Sequence, residues 1–213
     1  NNRLLARQNR FRVEAEIIRD ISLQTAGLLN LDIGGPAVFP PIPDSVLNQS
    51  FTKYGGNSKG RDRYRRGIYT FFRRTAIDPN MMIFDCPDAS ASRAMRDRSN
   101  NALQAMTTLN NEVFLERAQS CSFDLLQTLP NATDAIRLNH AFKIALSREP
   151  SPDEKAQLIG MLGDARVAFE LNEEQALEYL GSHGSKEIIP GEQAAWMTVL
   201  RLILNLDEFF TRE

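Results

Sequence analysis

Ser151-Pro152-Asp153-Glu154-Lys155-Ala156-Gln157-Leu158-Ile159-Gly160-Met161-Leu162 is the stretch that decides the fold class. It places a hydroxyl at a helix cap, a proline at the first helical position and a glutamate three residues after the cap. Leu158, Leu162, Ala165 and Phe169 then recur every three or four residues, which lays one apolar face along a helix. Toward the C-terminus, Asn172 and Gln175 repeat the cap pattern before Leu177 and Leu180. After the Gly181-Ser182-His183-Gly184 loop, Pro190 opens a last helix with Trp196, Val199, Leu200 and Ile203. Toward the N-terminus, Thr133 caps a helix carrying Leu138, Phe142 and Ala145. Asn111-Glu112 opens another, with Phe114, Ala118, Cys121 and Leu125 on one face. Asn101 and Gln104 form a capping box ahead of Leu103, Met106 and Leu109.

The first hundred residues read differently. Leu4, Phe11 and Ile18 repeat at seven, and Ile17, Ile21 and Leu28 follow at four and seven. That spacing predicts a long first helix over much of Leu4–Leu29, stopped by Gly27, Asn30 and Gly34-Gly35-Pro36. Pro36, Pro40, Pro41 and Pro43, then Gly55-Gly56-Asn57-Ser58, mark a long irregular connection. Gly67-Ile68-Tyr69-Thr70-Phe71-Phe72 predicts a short strand, and Met81-Met82-Ile83-Phe84 is a second apolar run able to pair with it. The expected fold is mainly α: a helical bundle with a small strand-and-loop insert, in one domain over residues 1–213.

Composition agrees with a globular chain. Of 213 residues, 42% are hydrophobic and 24% charged. A chain of this length buries roughly 70% of its unfolded surface and needs neither disulfide nor metal to fold. The net charge is −2, which argues against nucleic acid as a partner. Residues 1–110 nevertheless carry 16 basic and 10 acidic side chains (+6), and residues 111–213 carry 9 and 17 (−8). No run approaches the ~20 apolar residues of a membrane span. Cys86 and Cys121 either pair or stand as free thiols.

Motifs for cofactor chemistry do not match. There is no Cys-x-x-Cys-His for haem, and His140, His183, Cys86 and Cys121 are too scattered for zinc. Gly55 and Gly60 have phosphate-loop spacing, but Arg61-Asp62 stands where lysine and a hydroxyl belong. Neither a cofactor nor a metal is expected. His140 lies on an apolar stripe between Ile136 and Ile144 and reads as a core histidine before a catalytic base.

Two polar sets are candidates for binding. Lys53, Lys59, Arg61, Arg63, Arg65, Arg66, Arg73 and Arg74 flank Tyr54, Tyr64 and Tyr69. Guanidinium forks of this density suit phosphate, sulfate or carboxylate groups, or a solvated loop paired to acidic residues. Asp85 and Asp88 bracket Pro87 and precede Arg93, Arg96, Arg98, Asn100 and Gln104. The plainest reading is a structural polar knot, because arginine beside aspartate fixes it as a charged acceptor. A cation site or an acid–base pair are the alternatives.

An ordered series of motifs carries a family resemblance. Asn2-Arg3-Leu4-Leu5-Ala6-Arg7-Gln8-Asn9, Glu14-Ala15-Glu16-x-x-Arg19-Asp20 and Gly34-Gly35-Pro36 come first. Arg65-Arg66-Gly67-Ile68-Tyr69-Thr70-Phe71, Phe84-Asp85-x-Pro87-Asp88 and Arg96-x-Arg98-Ser99-Asn100-x-x-Leu103-Gln104-Ala105 follow. Leu109-Asn110-Asn111, Ala194-Ala195-Trp196 and Leu204-Asn205-Leu206-x-Glu208-Phe209 complete it. The chain resembles the family of unknown function DUF1553, the planctomycete secreted domain. It departs from the family's pattern at Asn101-Ala102, where Thr-Pro is common, and at Ser92, where a cysteine is common.

The resemblance implies the C-terminal module of a large exported protein, periplasmic or secreted. Its partners would be upstream domains of the same parent, which often include a planctomycete-type cytochrome c domain. The missing initiator Met at Asn1 fits a fragment. No activity comes with the family, so no catalytic residue is carried over. The first functional expectation is a non-catalytic interaction module binding an acidic small molecule or polysaccharide, or a neighbouring domain. Its candidate binding residues are Arg73, Arg74, Asp85, Asp88, Arg96, Arg98, Asn100 and Gln104. The alternative is a hydrolase of an extracellular polymer using Asp85, Asp88 and His140.

Overall fold

The structure, a computed structural model, describes residues 3–4, 6–42, 56–73, 77–184 and 187–212. The fold is mainly α, with nine α-helices and one two-stranded sheet among the described residues. The chain groups into two compact units: residues 1–24, 28–107 and 210–213 form the first, and 25–27 and 108–209 the second.

In the second unit the cap signals land where the sequence puts them. Helix α4 runs over Glu112–Thr128, and its cap Asn111 accepts the Val113 N–H. Helix α5 covers Asp134–Leu146 and starts after Thr133 as expected, but the Thr133 side chain makes no capping hydrogen bond. Helix α6 covers Pro152–Glu170, with both halves of the Ser151/Glu154 capping box formed. Helix α7 spans Glu173–Leu180 behind the Asn172 cap, and α8 spans Pro190–Ile203. A short α9, Asp207–Phe210, follows, so α8 is not the last helix. Residues Gln193 to Met197 of α8 have no exposed surface, and Trp196, Leu200 and Ile203 make it the core helix. It packs on α4, α6 and α7. Arg166 grips Asp134 and Glu192 at 2.7 Å each, and Glu192 also accepts the Trp196 indole N–H at 3.0 Å. That network aligns α5, α6 and α8, while partial exposure keeps each pair's contribution modest.

The first unit departs from the sequence reading in three places. The long first helix is cut to α1, Ala15–Thr25. Phe11–Arg12 is instead strand β1, antiparallel to β2 at Thr211–Arg212. Local periodicity cannot report a partner two hundred residues away, and strand pairing overrides the seven-residue repeat. Leu4 is accordingly exposed. The stop at Gly27 is real, with φ +67°.

The strand expected at residues 67–72 is a 3-10 turn, Gly67–Tyr69, following another at Gly60–Tyr64. Only isolated bridges, Asn30 with Arg65 and Val38 with Thr70, give this region β character. The turn is held by side chains: Asp20 accepts the Gly67 N–H at 2.6 Å, and Arg19 donates to the carbonyls of Arg65 at 3.2 Å and Arg63 at 2.7 Å. The second apolar run is helix α2, Pro79–Ile83, because Asp78 caps it by accepting the Met81 N–H. Helix α3 covers Ala102–Asn110. Val13, Ile18, Val38, Met81, Phe84 and Phe210 form the core of this unit.

Gly67 sits against α1 so closely that a Cβ there would lie 2.6 Å from the Glu16 carbonyl oxygen and 2.7 Å from its Cα. Backbone cannot yield as a flexible side chain does. Gly67→Ala is expected to cost roughly 1–3 kcal/mol, the range for overpacking. Urea unfolding measures it, and an unchanged midpoint would contradict the contact.

Candidate functional site

Pairing of β1 with β2 turns Arg12 inward, since neighbouring strand residues face opposite sides. Only 4% of Arg12 remains exposed. Its guanidinium donates to the Ser99 carbonyl at 2.5 Å, the Val13 carbonyl at 2.6 Å and the Phe84 carbonyl at 3.2 Å. It also donates to Asp85 Oδ2 at 2.5 Å, and it lies 5.7 Å from the Phe84 ring centre. A buried cation is tolerable when its charge is paired and its donors are filled, and both conditions are met here.

Asp85 follows the end of α2 in the left-handed region, with φ 60°. Asp tolerates that conformation better than most residues. Its carboxylate accepts the Ser99 N–H at 2.7 Å and the Ser99 hydroxyl at 2.8 Å, besides the Arg12 contact. Burial works against the charge, but Ser99 and then Arg12 outweigh it and hold the carboxyl below its ordinary value. Gln104, buried on α3, donates to the Ile83 carbonyl and to the Ser99 hydroxyl oxygen, both at 2.9 Å. The Asn101/Gln104 capping box is formed: Gln104 N–H donates to Asn101 Oδ1 at 3.1 Å, and Asn101 N–H to Gln104 Oε1 at 3.3 Å. The end of α2, the loop before α3 and strand β1 therefore meet on one carboxylate and one guanidinium.

A second, wetter cluster lies beside it. Arg96 donates to Glu16 at 2.8 Å and Glu14 at 3.0 Å, and Arg98 lies 3.5 Å from Glu14. The Arg98 guanidinium also covers the Phe11 ring at 4.9 Å. Hydrogen bonding to Glu16 raises the Arg96 pKa.

The structure thus brings Asp85 and Gln104 into one knot, and Arg96 and Arg98 into another. Asp88 is not part of either: it is exposed and accepts the Ser90 N–H at 3.0 Å and hydroxyl at 2.8 Å, which lowers its pKa. Asn100 and Arg73 are exposed, and Arg74 lies outside the described residues. Arg12 escaped sequence reasoning because the helical repeat absorbed it. The signal was there in a cation set between Phe11 and Val13. Of the basic run, Lys53 and Tyr54 also lie outside the described residues, Lys59 and Arg61 are exposed, and Arg65 is buried. In the second unit, His140 is half-buried beside Cys121 and Leu200 in a narrow cavity. Cys86 and Cys121 are free thiols, and burial pushes Cys121 up to about 12. Among the described residues no three His, Cys, Asp or Glu side chains gather as metal ligands, and no helix is long and apolar enough to cross a membrane.

A family model described as "protein of unknown function (DUF1553)" matches residues 1–162. The chain belongs to this family. The DUF1553 match takes in both arginine clusters and both capping boxes and ends within α6. The motifs at Ala194–Phe209 lie beyond it. No curated protein and no solved structure matches the chain.

The Asp85 pKa is depressed in the folded state, so its stabilisation is complete above its ordinary value near 3.8 and is lost as pH falls through the folded value. Asp85→Asn is expected to lose about 3 kcal/mol at neutral pH, because Arg12 is left buried without its counter-charge. Its unfolding midpoint should also fall less steeply than that of the parent protein between pH ~5 and ~2. Parallel acid limbs would show that folding does not shift the Asp85 pKa.

Proposed function

We propose that this chain is a non-catalytic interaction module of a larger exported protein, holding an acidic ligand or an acidic face of an upstream domain through exposed arginines. The observation that carries this reading is the way a basic turn is fixed from below. Arg61 and Lys59 are exposed at the Gly60–Tyr64 turn, and Arg73 is exposed a few residues on. Under them, Arg19 holds the Arg63 and Arg65 carbonyls, and the Asn30 amide reaches the Arg61 carbonyl at 3.4 Å. Cations on a pre-set backbone lose less freedom on binding than cations on a loose loop.

The aspartates support the same reading. A general acid needs a carboxyl whose pKa is raised toward working pH, whereas Asp85 and Asp88 are both shifted down. Asp85 is also enclosed by Ser99 and Arg12 rather than presented to a substrate. Arg96 and Arg98, read from the sequence as binding groups, are engaged with Glu14 and Glu16, so a ligand there must compete with those carboxylates.

Retention on an immobilised acidic polysaccharide, polygalacturonate or dextran sulfate, tests the proposal. The double substitution Arg61→Ala/Arg73→Ala is expected to weaken retention by about tenfold or more, as two lost charge-assisted contacts require. The melting temperature should barely move, because both side chains are exposed. Retention that is unchanged by the substitutions, or absent in the parent protein at low salt, would refute it.

A further inference from the structure

Arg65 is buried, and its charge meets no carboxylate among the described residues. It is 2% exposed. One nitrogen, Nη1, donates to the Pro36 carbonyl, and the guanidinium carbon lies over the Tyr69 ring, 4.1 Å from its centre. The other two nitrogens, Nε and Nη2, are buried without a hydrogen-bond partner. The neighbouring Arg66 reaches the same ring, 5.9 Å from its centre, and its own Nε is buried and unpartnered. The contrast with Arg12, whose donors and charge are all met, is sharp within one small unit.

The Gly34-Gly35 turn runs past the Arg65 guanidinium. Gly34 and Gly35 both have positive φ, at +78° and +87°, and both are exposed. A Cβ on Gly35 would stand 3.1 Å from Nη1 and 3.4 Å from Nη2, so any side chain here would cover the guanidinium edge. With glycine at position 35, no Cβ stands against that edge. The Gly34 N–H is turned to the Tyr69 hydroxyl at 2.8 Å, which places a further polar group at the rim.

A buried guanidinium with two unfilled nitrogens is costly, and an anion with several acceptor oxygens removes that cost by filling them while supplying the missing charge. The geometry points to an oxyanion site at Arg65 and Arg66, bounded by Tyr69 and the Gly34-Gly35 turn, that takes a phosphate, sulfate or carboxylate group. This deepens the reading of the chain as a binder of acidic ligands by naming the place where one acidic group is gripped and the kind of group it is. The surrounding exposed arginines would then serve the rest of the ligand. Tyr69 is a built-in reporter. The Gly34 N–H, and then Arg66 and Arg65, lower its pKa, so an anion placed beside it disfavours the phenolate and raises that pKa.

The test titrates the whole chain with sodium phosphate, sodium sulfate and sodium acetate, each against sodium chloride at matched ionic strength. Tyr69 ionisation is followed by ultraviolet difference spectra against Tyr69→Phe, and the melting temperature is recorded alongside. A saturable upward shift of Tyr69 ionisation and of the melting temperature, with at least one oxyanion and not with chloride, is expected. The strongest of the three identifies the group. Arg66→Gln, at a half-buried position, should weaken that response about tenfold without unfolding the chain. Gly35→Ala should weaken it as well. No saturable shift with any of the three, an equal shift with chloride, or a response untouched by both substitutions would overturn the site. Polysaccharide retention that survives Arg66→Gln while small oxyanions fail to bind would remove this site and leave the surface reading standing. Saturable oxyanion binding without any polysaccharide retention would do the reverse.

Discussion

The ion pair between Arg12 and Asp85 is the constraint on which the first unit depends. Around it the chain has little regular structure to satisfy its own backbone. Strand β1 is two residues long, α2 is five, and between α1 and α2 the described residues form 3-10 turns and irregular segments. Buried carbonyls that no ladder or helix can reach must find donors elsewhere. Arginine supplies them: Arg12 serves the carbonyls of Ser99, Val13 and Phe84, Arg19 those of Arg63 and Arg65, and Arg65 that of Pro36. A fork with five donors can hold several loop segments at once, which a short apolar side chain cannot. Asp85 is what allows the Arg12 fork to keep its charge in the buried interior.

The second unit solves the same problem with regular structure. Its helices satisfy their own backbones, and the arginines work at their ends. Arg137 donates to the Leu129 and Pro130 carbonyls at the end of α4, and Arg201 to the Leu109 carbonyl at the end of α3. Trp196 and its neighbours carry the packing. The difference explains why the basic residues concentrate before residue 110: they are the joinery of an irregular segment as well as a source of surface charge.

How much could be read from sequence follows the same division. Ser151, Asn172, Asn111 and Pro190 declared their helices because capping is local chemistry between residues three apart. The resemblance to DUF1553 was likewise legible in ordered short motifs. The strand at Phe11–Arg12 was not, since its partner is Thr211–Arg212. Gly67–Tyr69 has β-rich composition but folds as a turn, because Asp20 and the backbone of Glu16 fix Gly67 from a distant helix. For the site, Asp85 does meet Gln104's neighbour Ser99, but Arg96 and Arg98 pair with Glu14 and Glu16 rather than with the aspartates, so the one knot expected from the sequence is two clusters. Their partners Arg12, Glu14 and Glu16 came from a segment whose apolar repeat hid them. Asp88 shares the residue type of Asp85 but not its left-handed backbone aimed at Ser99, so it turned to Ser90 instead.

A double-mutant cycle on Arg12 and Asp85 tests this account most directly, using Arg12→Met, Asp85→Leu and the pair together, with stability from urea unfolding. Each single substitution strands a buried charge or its partner groups, while the double removes both. The account predicts a coupling energy of about 2 kcal/mol or more, with the double variant more stable than the sum of the single losses allows. Strictly additive losses would mean that the two groups are neighbours without being partners, and the unit would have to be held together by something else.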